Sequence, residues 1–472
     1  MKPPKKITGT GLYALGFGLF LGLAILKFGN PVILDHKIIP PATPSECWTE
    51  AWPARWGNWI FLPLALIGAG LALTGRQLWP AARRLWLLPL LWFGWQLLSA
   101  TQSVSVPLTN ATLCQFAGCL AGYFIGVFIL GREHMLRWLL IGLLAAFAFC
   151  LVRGINQRLF EFPQSQRMLV EGERTGWTNT PPEMLAEMKR DRAIITTNGV
   201  DVANPVILAK FAKGRVMGTL VYPNALAGII LLLLPVSLVL AFNKTRQLRP
   251  PIRTAVIGLT LFLGGAAFFW TGSKLGWLIA LAMGGACLFR LPWSVRLKWG
   301  TLIAVMLIGL GIFAWRFQGY FAAGATSVGA RFDYWRAAVE ITGKNPLFGT
   351  GPGTFLKPYE QIKPPGAETA RLTHNDYLEQ FSDSGIVGGT IYGAWIVIAL
   401  LTIGRRVWRS SDPVTFAIFL GVCAWFVQGL GEFSLYVPAL AWTAFTLLGF
   451  LLVITGNRID KRPPTGYSPH RT

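Results

Sequence analysis

Acidic residues are scarce in this chain. Asp and Glu number 21 against 43 Lys and Arg, and charged residues make up only 14% of 472 positions. Soluble domains carry roughly 25% charge, so a water-soluble globular class is excluded. Histidine is rarer still, with 4 in the whole chain. Of the 6 cysteines, Cys114, Cys119, Cys150, Cys287 and Cys423 fall inside apolar runs and only Cys47 sits in a polar loop. That spacing gives neither a disulfide framework nor a zinc site, and one loop histidine among dispersed acids is too little for a metal centre. We therefore expect no metal and no cofactor. The net charge of +22 raises the question of nucleic acid. The basic residues, however, are scattered in short clusters between hydrophobic runs, which is the pattern of the positive-inside rule rather than of a nucleic-acid face.

Apolar and aromatic residues dominate: 53% hydrophobic, with 20 Trp and 31 Phe. Runs of about 17 to 22 uncharged apolar residues can each cross a bilayer as a helix, and helix or closed barrel are the only backbones lipid tolerates. The sequence predicts an all-α integral membrane protein with about twelve spans. They lie at roughly 11–27, 58–74, 85–100, 111–131, 138–152, 218–242, 254–272, 274–291, 299–316, 385–404, 414–431 and 439–456. The first follows Lys2, Lys5 and Lys6 but has no small-residue cleavage site, so it reads as a retained helix rather than a signal peptide.

Loop charge alternates sharply. Loops after even-numbered spans carry Arg76, Arg83 and Arg84; Arg132 and Arg137; Lys244, Arg246, Arg249 and Arg253; Arg290, Arg296 and Lys298; and Arg405, Arg406 and Arg409. The short loops near 101–110 and 432–438 carry no Lys or Arg. Both termini are therefore expected in the cytoplasm, and three long loops, 28–57, 153–217 and 317–384, outside. Long loops in a short-connected fold are usually functional, the alternative being plain solvated connectors. In the third loop, Tyr334, Ala337, Ala338 and Ile341 have helical spacing, which predicts a short amphipathic helix over 330–342 near the membrane. Pro364-Pro365-Gly366 ends any helix before His374. No internal repeat is visible, and the charged tail 457–472 reads as disordered.

The third loop holds one histidine, His374, just ahead of a predicted span. Imidazole titrates nearest neutrality, which suits it to take a proton from an attacking hydroxyl, although an ordinary polar loop residue is the plain alternative. Arg331, beside Tyr334 and Trp335, offers a guanidinium that grips phosphate oxygens in pairs, or else an interfacial anchor. Lys274 is the sole charge in a tight external turn, and snorkelling does not explain why that turn breaks the charge bias. Arg215 stands at the outer end of a span, above a polar kink at Pro223 and Asn224. Gly349, Gly351 and Gly353 could cradle phosphate with backbone N–H groups, but no Gly-Lys-Ser/Thr follows, so a tight turn is the better reading. Asp376, Glu379 and Asp383 follow His374 without the pairing of a glycosidase.

Taken together, Arg331-Phe332-Asp333-Tyr334-Trp335, Asn345-Pro346-Leu347-Phe348-Gly349-Thr350-Gly351-Pro352-Gly353, His374-Asn375-Asp376-Tyr377-Leu378 and Ser384-Gly385-Ile386-Val387-Gly388 resemble the O-antigen ligase and polymerase superfamily. Arg215-Val216-Met217-Gly218-Thr219 with Pro223-Asn224-Ala225 is similar to its earlier motif, and Glu432-Phe433-Ser434-Leu435-Tyr436-Val437-Pro438 to its last external turn. The resemblance covers roughly 210–440. It implies a GT-C-like membrane fold, with an N-terminal helical part (1–210), a ligase-like part (211–456) and a cytoplasmic tail (457–472), in the inner membrane. It also implies a metal-independent glycosyltransferase. The donor is a polyprenyl-diphosphate-linked glycan, and the acceptor is lipid A-core, a second lipid-linked glycan or a protein. A loop histidine activates the acceptor and two arginines hold the diphosphate: His374 and Arg331 fit two of these positions, and Asn375 follows in the same motif. The second arginine usually sits in a Ser-Arg-Gly-like turn, where this chain has Ser273-Lys274-Leu275-Gly276. Lys274 or Arg215 could replace it. Polymerase is the alternative within the same chemistry. A bicarbonate-like transporter or a non-catalytic scaffold are the alternatives outside it.

Overall fold

A computed structural model describes residues 8–74, 83–131, 133–322 and 326–460. Arg76, Arg132 and positions 461–472 of the tail lie outside them; the first residues of the expected tail, 457–460, complete a helix. In chain order the described helices are α1 (Gly9–Lys27), α2 (Pro44–Thr49), α3 (Ala54–Thr74), α4 (Arg83–Ala100), α5 (Val106–Phe128) and α6 (Glu133–Asn156). There follow α7 (Phe162–Arg174), α8 (Pro182–Arg190), a hairpin of β1 (Ile194–Thr197) and β2 (Val200–Ala203), and α9 (Pro205–Lys213). The second half comprises α10 (Pro223–Lys244), α11 (Pro250–Thr271), α12 (Lys274–Phe289), α13 (Val295–Ala322) and α14 (Thr326–Lys344). It closes with α15 (Leu356–Ile362), α16 (Asp376–Trp408), α17 (Pro413–Gln428) and α18 (Pro438–Asp460).

Every hydrophobic segment expected to span falls on one of these helices. Nine helical stretches among the described residues are long and apolar enough to cross a bilayer: α1, α3, α5, α6 continued into α7, α10, α11, α13, α16 and α18. The apolar part of α4 (Leu87–Ala100), α12 and α17 are shorter. Proline sets several starts, at Pro223, Pro250, Pro413 and Pro438. Its missing N–H is harmless in a first turn, where the backbone donors have no helical partner. The centre of the bundle is α18, 94% buried across its apolar window. It packs on α5 at backbone contact: a Cβ on Gly126 would stand 2.2 Å from the Thr446 carbonyl oxygen, and one on Gly449 2.1 Å from that of Tyr123. Gly118, Gly122 and Gly126 repeat every fourth residue on α5, the small-residue stripe that lets membrane helices approach closely.

Two segments depart from the sequence expectation. The loop expected from 153 is largely ordered. Its start continues α6 through a π turn (Gln157–Glu161) into α7, and the remainder folds over Leu169, Trp177, Met188, Ile194 and Ala203. The span expected to begin near 385 does start at that point, but 376–384, expected as loop, is helical and leads into it. Helix α16 is broken at Ser384 and at Gly385, where φ is 71° and ψ −175°. The break is tied down by its neighbours. Ile386 N donates to Pro346 O (2.8 Å), Gly351 N to Asp383 O (2.9 Å) and Trp95 Nε1 to Ser384 O (2.9 Å). The polar helical segment 376–384 is thereby held inside the protein rather than in solvent.

Candidate functional site

The glycine turn after α14 is a packing device. Gly349, Gly351 and Gly353 all have positive φ (67°, 101° and 74°), and added Cβ atoms would collide with Asp383, Ser103 and Thr112. Gly353 N donates to Asp383 Oδ2 at 2.6 Å. These glycines wedge the turn against the α16 break, as a tight turn should. Asn375 caps α16: its Oδ1 accepts from Tyr377 N and Leu378 N, both at 3.0 Å, and its Nδ2 donates to Leu430 O at 2.9 Å. Helix start and neighbouring loop are thus fixed by one side chain.

His374 precedes that cap with φ at 53°, a left-handed conformation uncommon for a residue with a Cβ. The turn aims its half-buried imidazole between Tyr334 of α14 and Phe433, with ring centroids 6.0 and 4.7 Å away. Helix α14 carries Tyr334 because Tyr334, Ala337, Ala338 and Ile341 form one buried stripe on Phe355 and Tyr359, as their spacing predicted. The helix is longer than the expected 330–342. One turn before Tyr334, Arg331 Nη2 meets Glu432 Oε1 at 2.6 Å.

Glu432 joins the site. The same Oε1 accepts from Asn224 Nδ2 at 2.6 Å, while Oε2 lies 3.7 Å from His374 Nδ1. Asn224 Oδ1 accepts in turn from Arg215 Nη2 at 2.9 Å, and Arg215 Nε donates to Thr271 O at 2.7 Å. Arg215, Asn224, Glu432 and Arg331 therefore form one chain of polar contacts with His374 at its side. Burial pushes Arg215 below its ordinary value; Glu432 opposes this and Arg331 adds to it.

Lys274 begins α12, capped by Ser273, whose Oγ accepts from Gly276 N. A cation at a helix N-terminus works against the macrodipole. Its ammonium sits 3.7 Å from the Tyr320 ring centroid and 5.4 Å from that of Phe317, a cation–π contact that offsets the cost. It lies within electrostatic range of Arg215 and Arg331 but makes no bond with them. Arg215 instead stacks on the neighbouring turn: a Cβ on Gly272 would stand 3.3 Å from its Nε. Among the described residues no three His, Cys, Asp or Glu side chains gather as metal ligands.

Of the residues singled out from sequence, His374, Arg331 and Arg215 converge, Lys274 lies beside them, and the glycines serve the scaffold. In the sequence Glu432 stands only within a motif, and Asn224 within a motif and the polar kink below Arg215. The signal that marks Glu432 in the sequence is that it is the sole acid in a turn, 432–438, that carries no Lys or Arg.

Residues 259–393 match the family model described as O-antigen ligase. That match includes Lys274, Arg331 and His374, whereas Arg215, Asn224 and Glu432 lie outside it. No curated protein matches the chain. Residues 259–393, with the motifs they contain, are thus similar to O-antigen ligases, within a chain whose described residues include nine helical stretches long and apolar enough to cross a membrane.

Proposed function

We propose that this protein moves a glycan from a polyprenyl-diphosphate carrier to an acceptor hydroxyl at the external face of the inner membrane, as an O-antigen ligase-like transferase. The observation that carries the reading is the gathering of His374, Arg331 and Arg215 around one buried carboxylate, from stretches far apart in sequence. A base beside two guanidinium groups is what displacement of a diphosphate needs. His374 takes the acceptor proton and the hydroxyl attacks the anomeric carbon. The departing diphosphate is stabilised by Arg331 and Arg215, with Lys274 adding charge. Preorganised cations in a water-poor site act most strongly where charge develops, here on the leaving diphosphate. Arg215 supplies the second planar fork that a lysine lacks. Residues 211–456 carry the reaction, and both termini face the cytoplasm.

The test is an envelope glycan profile of a deletion strain complemented with wild type, His374→Ala or Arg331→Ala, each checked for membrane levels. The expected result is lipid-linked glycan that accumulates in the deletion and is cleared by wild type but by neither variant. Intact long chains left on the carrier identify a ligase, and chains shortened to single units a polymerase. Wild-type glycans in the His374→Ala strain would overturn the assignment.

A further inference from the structure

Glu432 is 1% exposed, and its two oxygens have unequal surroundings. Oε1 accepts from Arg331 and from Asn224. Oε2 has no hydrogen-bond partner, and neither has His374 Nδ1, 3.7 Å away. A buried acceptor and a buried donor left unmade each cost about 1–3 kcal/mol, so two facing each other form a contact poised to close.

The backbones that carry them are joined already. Asp376 N donates to Gly429 O (2.7 Å) and to Glu432 O (3.1 Å), and Leu435 N donates to the Asp376 carboxylate (3.2 Å). The remaining gap to a hydrogen bond is under about 1 Å. The Tyr334 and Phe433 rings on either side of the imidazole limit its rotation.

We propose that Glu432 is the positioning residue of the transfer, receiving the His374 Nδ1–H on Oε2 so that Nε2 faces the acceptor, while Oε1 sets Arg331 directly and Arg215 through Asn224. This rests on the transferase reading above. In the step itself the acceptor O–H gives its proton to Nε2. Its oxygen bonds the anomeric carbon, the bond from that carbon to the diphosphate oxygen breaks, and the electron pair leaves on the polyprenyl diphosphate. Glu432 stays ionised beside the imidazolium, which then releases its proton to water. One carboxylate thereby fixes the distance between acceptor activation and donor binding.

The experiment is a double-mutant cycle in proteoliposomes with a lipid-linked glycan and acceptor, comparing wild type, Glu432→Gln, His374→Ala and the double variant. Glutamine keeps the size and one oxygen for Arg331, but its amide nitrogen cannot accept from Nδ1. Turnover should fall about 100-fold, short of the roughly 10⁴ seen for a triad carboxylate, with donor KM within about threefold. In the His374→Ala background the same change should cost nothing further. Turnover of Glu432→Gln within threefold of wild type, or an equal loss in both backgrounds, overturns the positioning role. If His374→Ala itself transfers normally, the transferase assignment fails first, which separates the two outcomes. If Glu432→Gln does not fold, Glu432→Asp takes its place: charge kept but withdrawn by one methylene, with a loss of about tenfold that again vanishes without His374.

Discussion

His374 occupies a left-handed turn that asparagine also tolerates. His374→Asn should therefore fold like wild type, with the same thermal unfolding in detergent, yet lose about 10²–10⁴ in turnover because no base remains. Arg331 carries two loads, and its substitutions should separate them. Arg331→Ala leaves the Glu432 carboxylate without its ion-pair partner in a buried site, which destabilises by about 3 kcal/mol or more. Arg331→Lys keeps the charge but loses the fork, so unfolding should change little while donor KM rises about tenfold. Calorimetry beside steady-state kinetics distinguishes the two. His374, Arg331, Arg215 and Lys274 were legible in the sequence as candidates, because polar side chains stand out beside apolar spans. The contacts of Glu432 were not. Its partners Arg331 and Asn224 are 101 and 208 positions away, and no local pattern encodes such a contact.

At the scale of elements, the break in α16 does the positioning. Residues 376–384 read as loop because Asp376, Glu379, Gln380, Asp383 and the serines make them polar. In the folded protein they are helical and buried, since Trp95, Gln96, Ser99, Thr373, Tyr436 and the glycine turn supply partners. Hydropathy measures preference for lipid and is blind to such satisfaction. Gly385 makes the break possible: at φ 71° and ψ −175° a side chain is strained, and a Cβ there would stand 2.3 Å from Leu347 O. Gly385→Ala should destabilise by about 2–4 kcal/mol and shift His374 out of register. Thermal unfolding and turnover should fall together. Helix α14 was the better prediction, because period-3.6 spacing against a protein core is a local signal.

Across the whole molecule, apolar runs carried the architecture: all twelve expected segments fall on helices, although three are shorter than a full span. The alternation of charge predicts the His374 loop outside and the even loops inside, and labelling tests that orientation. In a Cys47→Ser background, Glu368→Cys should react with an impermeant maleimide on intact spheroplasts, and Lys244→Cys only after lysis. The reverse pattern would invert the orientation. The ordered insertion 162–213 was opaque in sequence, because its small core draws Trp177, Met188 and Ile194 from segments that are individually polar.

The central claim is tested most directly by reconstitution. Purified protein in proteoliposomes, given a polyprenyl-diphosphate glycan and a hydroxyl acceptor, should yield glycosylated acceptor and free polyprenyl diphosphate in equal amounts, and folded His374→Asn should yield neither. Transfer by His374→Asn at the wild-type rate would contradict the account.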